Sequence, residues 1–410
     1  MRPPVVALAG VVVALVVTVL VTVPFPVLAG AHSHVDVLKD FTPAELAREN
    51  AFHGAIRPPA YASLLVSLLV AGLLGLTGVG ARLVQRVPGP WPVKVLLSVL
   101  VLSVLGQLAT LPFDVQAERV LRRYGLSVQN WVSWGDDKLR SLGIGVLLTS
   151  LALVVVLALV RRFPHGWWAS GAVAAALLTV LGSFVYPVVI EPAFNHFTPL
   201  PAGQLRTDLL TMADRDHVPV KDVLVADASR RTTALNAYVS GFGSTRRIVV
   251  YDTLLTSSTN REVELVVAHE LGHAKRQDVL HGTLIGAFGG AAGVIGLYLL
   301  LSWQPLLRRV GADGPGDPRI VPLVLLLAAA TPLLLSPLTN LLSRHVEARA
   351  DVHSLELTGD VATFVQSEHR LSVTNLSDLN PNKVVYALFF THPTGPERIA
   401  LAYEWERLHR

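Results

Sequence analysis

The feature that most constrains this chain is a set of seven apolar stretches, roughly Val5 to Val23, Tyr61 to Leu83, Val95 to Leu111, Leu142 to Val160, Trp167 to Ile190, Gly282 to Trp303 and Ile320 to Leu342. Apart from Arg82, near the end of the second, none contains Asp, Glu, Lys or Arg. A helix crosses a hydrocarbon core of about 30 Å with about 20 residues, and a backbone in lipid must satisfy its own hydrogen bonds. The expected fold is therefore an all-α integral membrane protein with about seven transmembrane helices. Composition agrees, with 51% hydrophobic and 16% charged residues and a mean hydropathy of +0.50.

Spans so poor in ionisable groups argue against a pump or coupled transporter, which keeps such groups at membrane depth. The formal charge of +4 is spread over single and paired Lys and Arg residues, with no basic tract carrying interleaved aromatics. That pattern fits loops facing anionic lipid and excludes nucleic acid as a partner. The first stretch follows Arg2 and precedes Ala29-Gly30-Ala31, the outline of a signal peptide. Its apolar core exceeds the roughly 7–15 residues usual for such a peptide, so it is read as a retained helix. Basic residues in alternate loops tie at eight against eight and do not set an orientation.

The spans divide the chain. Residues 1–190 hold helices one to five, 191–281 form a polar region, 282–343 hold helices six and seven, and 344–410 form a second polar part. Chemistry is expected in the two polar parts. With no cysteine anywhere, a disulfide framework, a thiolate metal site and a thiol nucleophile are all excluded, and any metal must rest on His and carboxylate.

In the first polar part, Thr259-Asn-Arg-Glu262 has the form of a capping box and is followed by Val263, Val266, Val267 and Leu271 at helical spacing. On that helix His269 and His273, four residues apart, project from one face and can bind one ion, with Glu270 beside them as general base. Two histidines leave a catalytic zinc one protein ligand short. Directly after the seventh stretch, Ser343-Arg-His-Val-Glu347-Ala-Arg-Ala-Asp351 reads as a helix ending near Gly359. Glu347 and Asp351 share a face, so Glu347 is the candidate third ligand and Asp351 an acceptor that fixes a ligand imidazole. The bland alternative is a solvated acidic face neutralised by Arg344 or Arg349. His345 and His353 point away from the Glu347/Asp351 face, and His281 reads as an interfacial polar residue.

These residues resemble the type I CAAX prenyl endopeptidases, seven-helix membrane zinc peptidases of the gluzincin type, with heat-shock-linked membrane proteases as shorter relatives. The resemblance also rests on Asn236-Ala-Tyr-Val-Ser-Gly-Phe-Gly243 with Arg247-Ile-Val-Val-Tyr-Asp-Thr253, on Glu191-Pro-Ala-Phe-Asn195-His-Phe-Thr198-Pro-Leu-Pro201, and on His392-Pro-Thr-Gly-Pro-Glu-Arg398-Ile. It implies seven helices enclosing a chamber capped by a thermolysin-like catalytic region on the cytoplasmic side, one Zn2+ per chain, and a peptide or protein substrate that is membrane-associated or prenylated. The alternation from Asn236 to Phe242 and the turn from Gly241 to Thr245 fit a β-hairpin. Asn236, Ala237 and Tyr238 are its candidate substrate-binding edge, or part of an ordinary hairpin. His392 and Arg398 are candidate donors to the reaction's oxyanion or to the carboxylates around the metal.

The expected activity is thus that of a membrane-embedded zinc metalloendopeptidase. The alternative within that class is a quality-control endopeptidase that needs no lipid on its substrate. Outside it stand a seven-helix transporter or receptor with a fortuitous HExxH, and an inactive scaffold.

Overall fold

A computed structural model describes residues 3–28, 35–241, 243 and 246–410. The Ala29-Gly30-Ala31 segment, Phe242 and Thr245, all used in the sequence reading, lie outside the described residues. Among the described residues seven helices are long and apolar enough to cross a membrane. They are Pro3–Thr22, Pro43–Leu76, Trp91–Arg123, Trp131–Arg162, Trp167–Phe194, Asp278–Leu301 and Pro318–Thr358. Each span carries large aliphatic side chains facing outward, among them Leu69 at 62%, Leu147 at 63% and Leu334 at 77% exposure. Outward leucines at that density suit a lipid solvent and would be a liability in water.

The expected number of spans is met, but most helices are longer than their apolar stretches. The second begins at Thr42, whose capping box with Glu45 satisfies the first free amides well before Tyr61. It stops at Leu76 instead of running to Leu83, because Thr77 turns extended and caps a separate short helix, Gly78–Arg86. The sixth starts at Asp278, four residues before the apolar run. The seventh continues without a break from Val321 to Thr358, so the segment carrying Glu347 and Asp351 is the same rod as the last span. Only the αL residue Gly359 ends it, at φ 63°.

Close helix packing depends on small side chains. A Cβ on Gly75 would lie 2.8 Å from the carbonyl oxygen of Pro322, so the second helix meets the seventh at backbone distance only because that side chain is absent. The first and fifth helices pack on the sixth, and the second on the third and seventh.

The polar region between the fifth and sixth spans folds on a four-stranded sheet of order β1-β2-β4-β3, with β1 Phe197–Pro199, β2 Asp222–Ala226, β3 Ala237–Ser240 and β4 Arg247–Tyr251. The hairpin expected from the alternation is β3 paired antiparallel with β4, Ala237 opposite Val250 and Ser240 opposite Arg247. β2 runs parallel to β4. One face of the sheet, including Ala237, Ile248 and Val250, packs on the helix Gln204–Arg215 and on Val263, Val267 and Leu271 of the metal helix, Asn260–Lys275. At about 25 cal/mol per Å² of apolar surface removed from water, this contact fixes the metal helix against the sheet.

Candidate active site

The metal helix starts where the sequence places it. The Thr259 hydroxyl accepts from the Glu262 amide, and the Glu262 carboxylate accepts from the Thr259 amide at 2.7 Å and from Arg370 at 2.7 Å. From this fixed start, His269 and His273 fall on the face turned toward the seventh helix.

Their Nε2 atoms lie 3.2 Å apart. Glu347 Oε2 is 3.2 Å from Nε2 of His269 and 3.6 Å from Nε2 of His273. A tetrahedral ion with arms of about 2.0–2.1 Å needs ligand atoms about 3.3 Å apart. The triangle therefore fits a zinc-sized cation. Glu347 Oε2 is buried and has no hydrogen-bond partner, an orphan that such an ion would satisfy.

The other nitrogen of each imidazole is already committed. His269 Nδ1 meets Asp351 Oδ1 at 2.8 Å, and His273 Nδ1 meets Asp278 Oδ2 at 2.9 Å. Carboxylates on Nδ1 hold the rings and favour the tautomer that directs the Nε2 lone pairs inward. Burial alone would lower both imidazole pKa values. Asp351 and Glu347 instead lift His269 to about 9, and Asp278 and Glu347 lift His273 to about 10, so the site attracts positive charge.

Glu270 lies between two cavities. One, of about 370 Å3, also takes in Asn236, Glu368, Phe390 and His392; the other, of about 240 Å3, takes in Val239, Arg246, Val279 and Leu280. Burial raises the carboxyl of Glu270 above its ordinary value, against the pull of His269 and His273.

Arg398 has no nitrogen to spare. It engages Asp351 through Nε at 2.9 Å and through Nη2, and Glu368 through Nη1 at 2.8 Å. Of the two roles read from the sequence, its geometry matches the one toward carboxylates. His392 is largely exposed, with Nε2 3.3 Å from Glu347 Oε2 and Nδ1 2.8 Å from the Thr391 hydroxyl, and so borders the open side of the site.

Of the three candidate edge residues, Asn236 lines the larger cavity. The Asn236 carbonyl accepts from the Tyr251 amide, so with the antiparallel register the main-chain groups of Ala237 and Val239 point to the open edge. The Tyr238 side chain packs on the opposite face of the sheet, against Tyr251, away from the metal helix. The amide of Asn375 braces the start of this edge, bonding both the amide and carbonyl of Leu235.

Sequence reasoning missed Asp278, Glu368 and Asn375. It also missed Asp216, which binds His353 at 2.9 Å and Lys275 at 2.6 Å. Asp278 carried a signal, a carboxylate five residues beyond a candidate ligand. The others come near only through tertiary folding. His281 and His345 lie outside the ligand triangle, as expected; His345 bonds the Leu341 carbonyl within its own helix.

Two family models account for most of the chain: peptidase family M48 over residues 199–406, and the CAAX prenyl protease N-terminal domain of five membrane helices over residues 61–196. The chain belongs to peptidase family M48. It is 31% identical to the metalloprotease YhfN of Bacillus subtilis across 82% of this chain and 80% of that one. It is 30% identical to CAAX prenyl protease 1 of Saccharomyces cerevisiae across 75% and 71%. The crystal structure of S. mikatae Ste24p covers 98% of the chain, itself covered to 99%, with a TM-score of 0.78 at 21% identity, which establishes the shared fold. This M48 peptidase is a multi-pass membrane metalloendopeptidase. An M48 assignment supports a peptidase in place of the transporter and receptor readings.

Proposed function

We propose that the ion is zinc, held by His269, His273 and Glu347, and that the enzyme cuts extended peptides of membrane-associated proteins, with a prenyl group near the scissile bond as the preferred lipid. The observation that carries the metal assignment is the Nε2/Nε2/Oε2 triangle with edges of 3.2, 3.2 and 3.6 Å. The donor set of two imidazoles and one carboxylate is that of a catalytic zinc with an open position. Zinc bound there supplies a Lewis acid for the peptide carbonyl and an acidified water.

The chain's own residues do the rest. Glu270 Oε accepts the proton of the attacking water and returns it to the leaving amine, its raised pKa suiting both transfers. His392, on the open side, donates to the developing oxyanion. Arg398 and Glu368 lock Asp351, and through it the ring of His269. The open main-chain groups of Ala237 and Val239 take the substrate as an added strand, which lays its scissile bond along Glu270.

The prenyl preference rests on similarity to proteins named CAAX prenyl protease 1 and on the apolar surface around the spans. Purified enzyme in detergent, given a farnesylated CAAX peptide and the same peptide without lipid, tests it. Cleavage that needs both the lipid and Glu270 supports the proposal; equal Glu270-dependent cleavage of both would replace it with general membrane-protein proteolysis.

A further inference from the structure

A second group of ionisable side chains meets where the second membrane helix, before its apolar part, crosses the turn after the helix Val361–Thr374. Glu49 and His53 are four residues apart on one helical face. With Asp378 they bring three potential ligand atoms within 4.8 Å of one another. His53 Nε2 is 3.4 Å from Glu49 Oε1 and 2.9 Å from the carbonyl oxygen of Leu376, a residue held at φ 49°. Asp378 is engaged by Arg57 and by the Asn380 amide. Glu49 is 3% exposed, yet neither of its carboxylate oxygens has a hydrogen-bond partner.

Two buried carboxylates face one guanidinium, which leaves one negative charge uncompensated, and a buried unpaired charge is strongly unfavourable. Either a proton or a cation must complete the cluster. An imidazole beside two carboxylates is a donor set for a first-row divalent ion, zinc foremost among those that accept mixed nitrogen and oxygen ligands. We propose that Glu49, His53 and Asp378 form a second divalent-cation site. Binding moves the His53 proton from Nε2 to Nδ1, breaks the Nε2–H bond to the Leu376 carbonyl and leaves the Nε2 lone pair for the ion. Ser377 and Asp378 also line the cavity that holds Glu270, so the ion pins that wall of the substrate cleft to the second membrane helix.

The full-length protein in detergent, saturated with zinc chloride and desalted, tests this by metal counting per chain with mass spectrometry. The expected counts are two ions in the parent, one in Glu49→Gln and one in His273→Ala. His53→Gln, also expected to hold one, guards against misfolding of the first variant. A zinc-induced rise of the thermal midpoint should persist in His273→Ala and vanish when Glu49→Gln is added to it. One ion in both the parent and Glu49→Gln overturns the proposal and leaves a shared proton as the partner of Glu49. A parent with one ion that Glu49→Gln loses and His273→Ala keeps would uphold this site while removing the assignment at His269, His273 and Glu347.

Discussion

His273 is tied through its Nδ1 to Asp278 Oδ2 at 2.9 Å, a residue five positions on and already in the first turn of the sixth membrane helix. The second histidine of the metal triangle is thus oriented by the helix that enters the bilayer. Asp278 also takes Arg349, from the seventh helix, on its other oxygen. Replacing a carboxylate that orients a ligand imidazole typically costs 10–100-fold in metal affinity. Asp278→Asn should weaken zinc binding by about that factor in a chelator competition, while activity at saturating zinc falls far less. Unchanged affinity would remove Asp278 from the metal's support.

Glu270 and Glu347 should separate cleanly. Glu270→Gln is expected to lower turnover by about 100- to 10,000-fold, the usual share of a general base, with the metal content of His269, His273 and Glu347 intact. Glu347→Gln should lose the ion itself. Metal analysis beside a peptide-cleavage assay distinguishes them, and substantial turnover in Glu270→Gln would refute the base assignment.

Gly272, inside the HExxH segment, is a packing requirement. A Cβ there would lie 3.1 Å from Cβ and Cδ2 of His353, whose ring is held by buried Asp216. The His353 side chain would have to give by a few tenths of an ångström while still held by Asp216, and overpacking of this kind costs about 1–3 kcal/mol. Gly272→Ala should therefore lower the thermal midpoint and cut activity. Adding His353→Ala removes the ring atoms but leaves the Cβ contact, and His353→Gly removes both, so recovery should be partial with alanine and larger with glycine once its own helix cost of about 1 kcal/mol is allowed for; no recovery with either would mean the contact is not what selects glycine.

Glu262 gives a pH dependence of known sign. Burial pushes its carboxyl up, but the Thr259 amide, Arg370 and the Thr259 hydroxyl outweigh that and hold it below 4.5. A carboxyl depressed in the native state stabilises the fold above its unfolded value, and the contribution is lost as pH falls through the native value. Glu262→Gln should thus unfold at a lower temperature than the parent near neutral pH, by a margin of about 1–3 kcal/mol for a charge-assisted bond. The two melting curves should converge under acid. A gap that widens on acidification would contradict the sign.

The sequence reading brought His269, His273 and Glu347 together, as the structure does, because these residues advertise themselves locally. His269 and His273 repeat at the helical period behind a capping box, and Glu347 and Asp351 repeat at the same period. Hydrophobicity gave the seven spans for an equally simple reason. It could not give their ends, since Pro43 to Arg57 and Ser343 to Thr358 continue their helices in polar sequence. β1 and β2 were missed because a three-residue strand and a buried parallel one leave no alternation to read. Glu368, 98 residues from Glu270, adjoins the site only after the chain has folded, so no spacing rule could bring it forward. Among the edge residues, alternation found the strand but not its faces; the register showed that Tyr238 turns from the metal helix.

The uninterrupted seventh helix has a mechanical consequence. Leu338 is 58% exposed on the membrane surface of the rod and Glu347 closes the metal triangle nine residues later, about 14 Å along the same axis. No loop stands between them to absorb motion. A tilt of this span would therefore carry the Glu347 carboxylate with it, as the short arm of a lever.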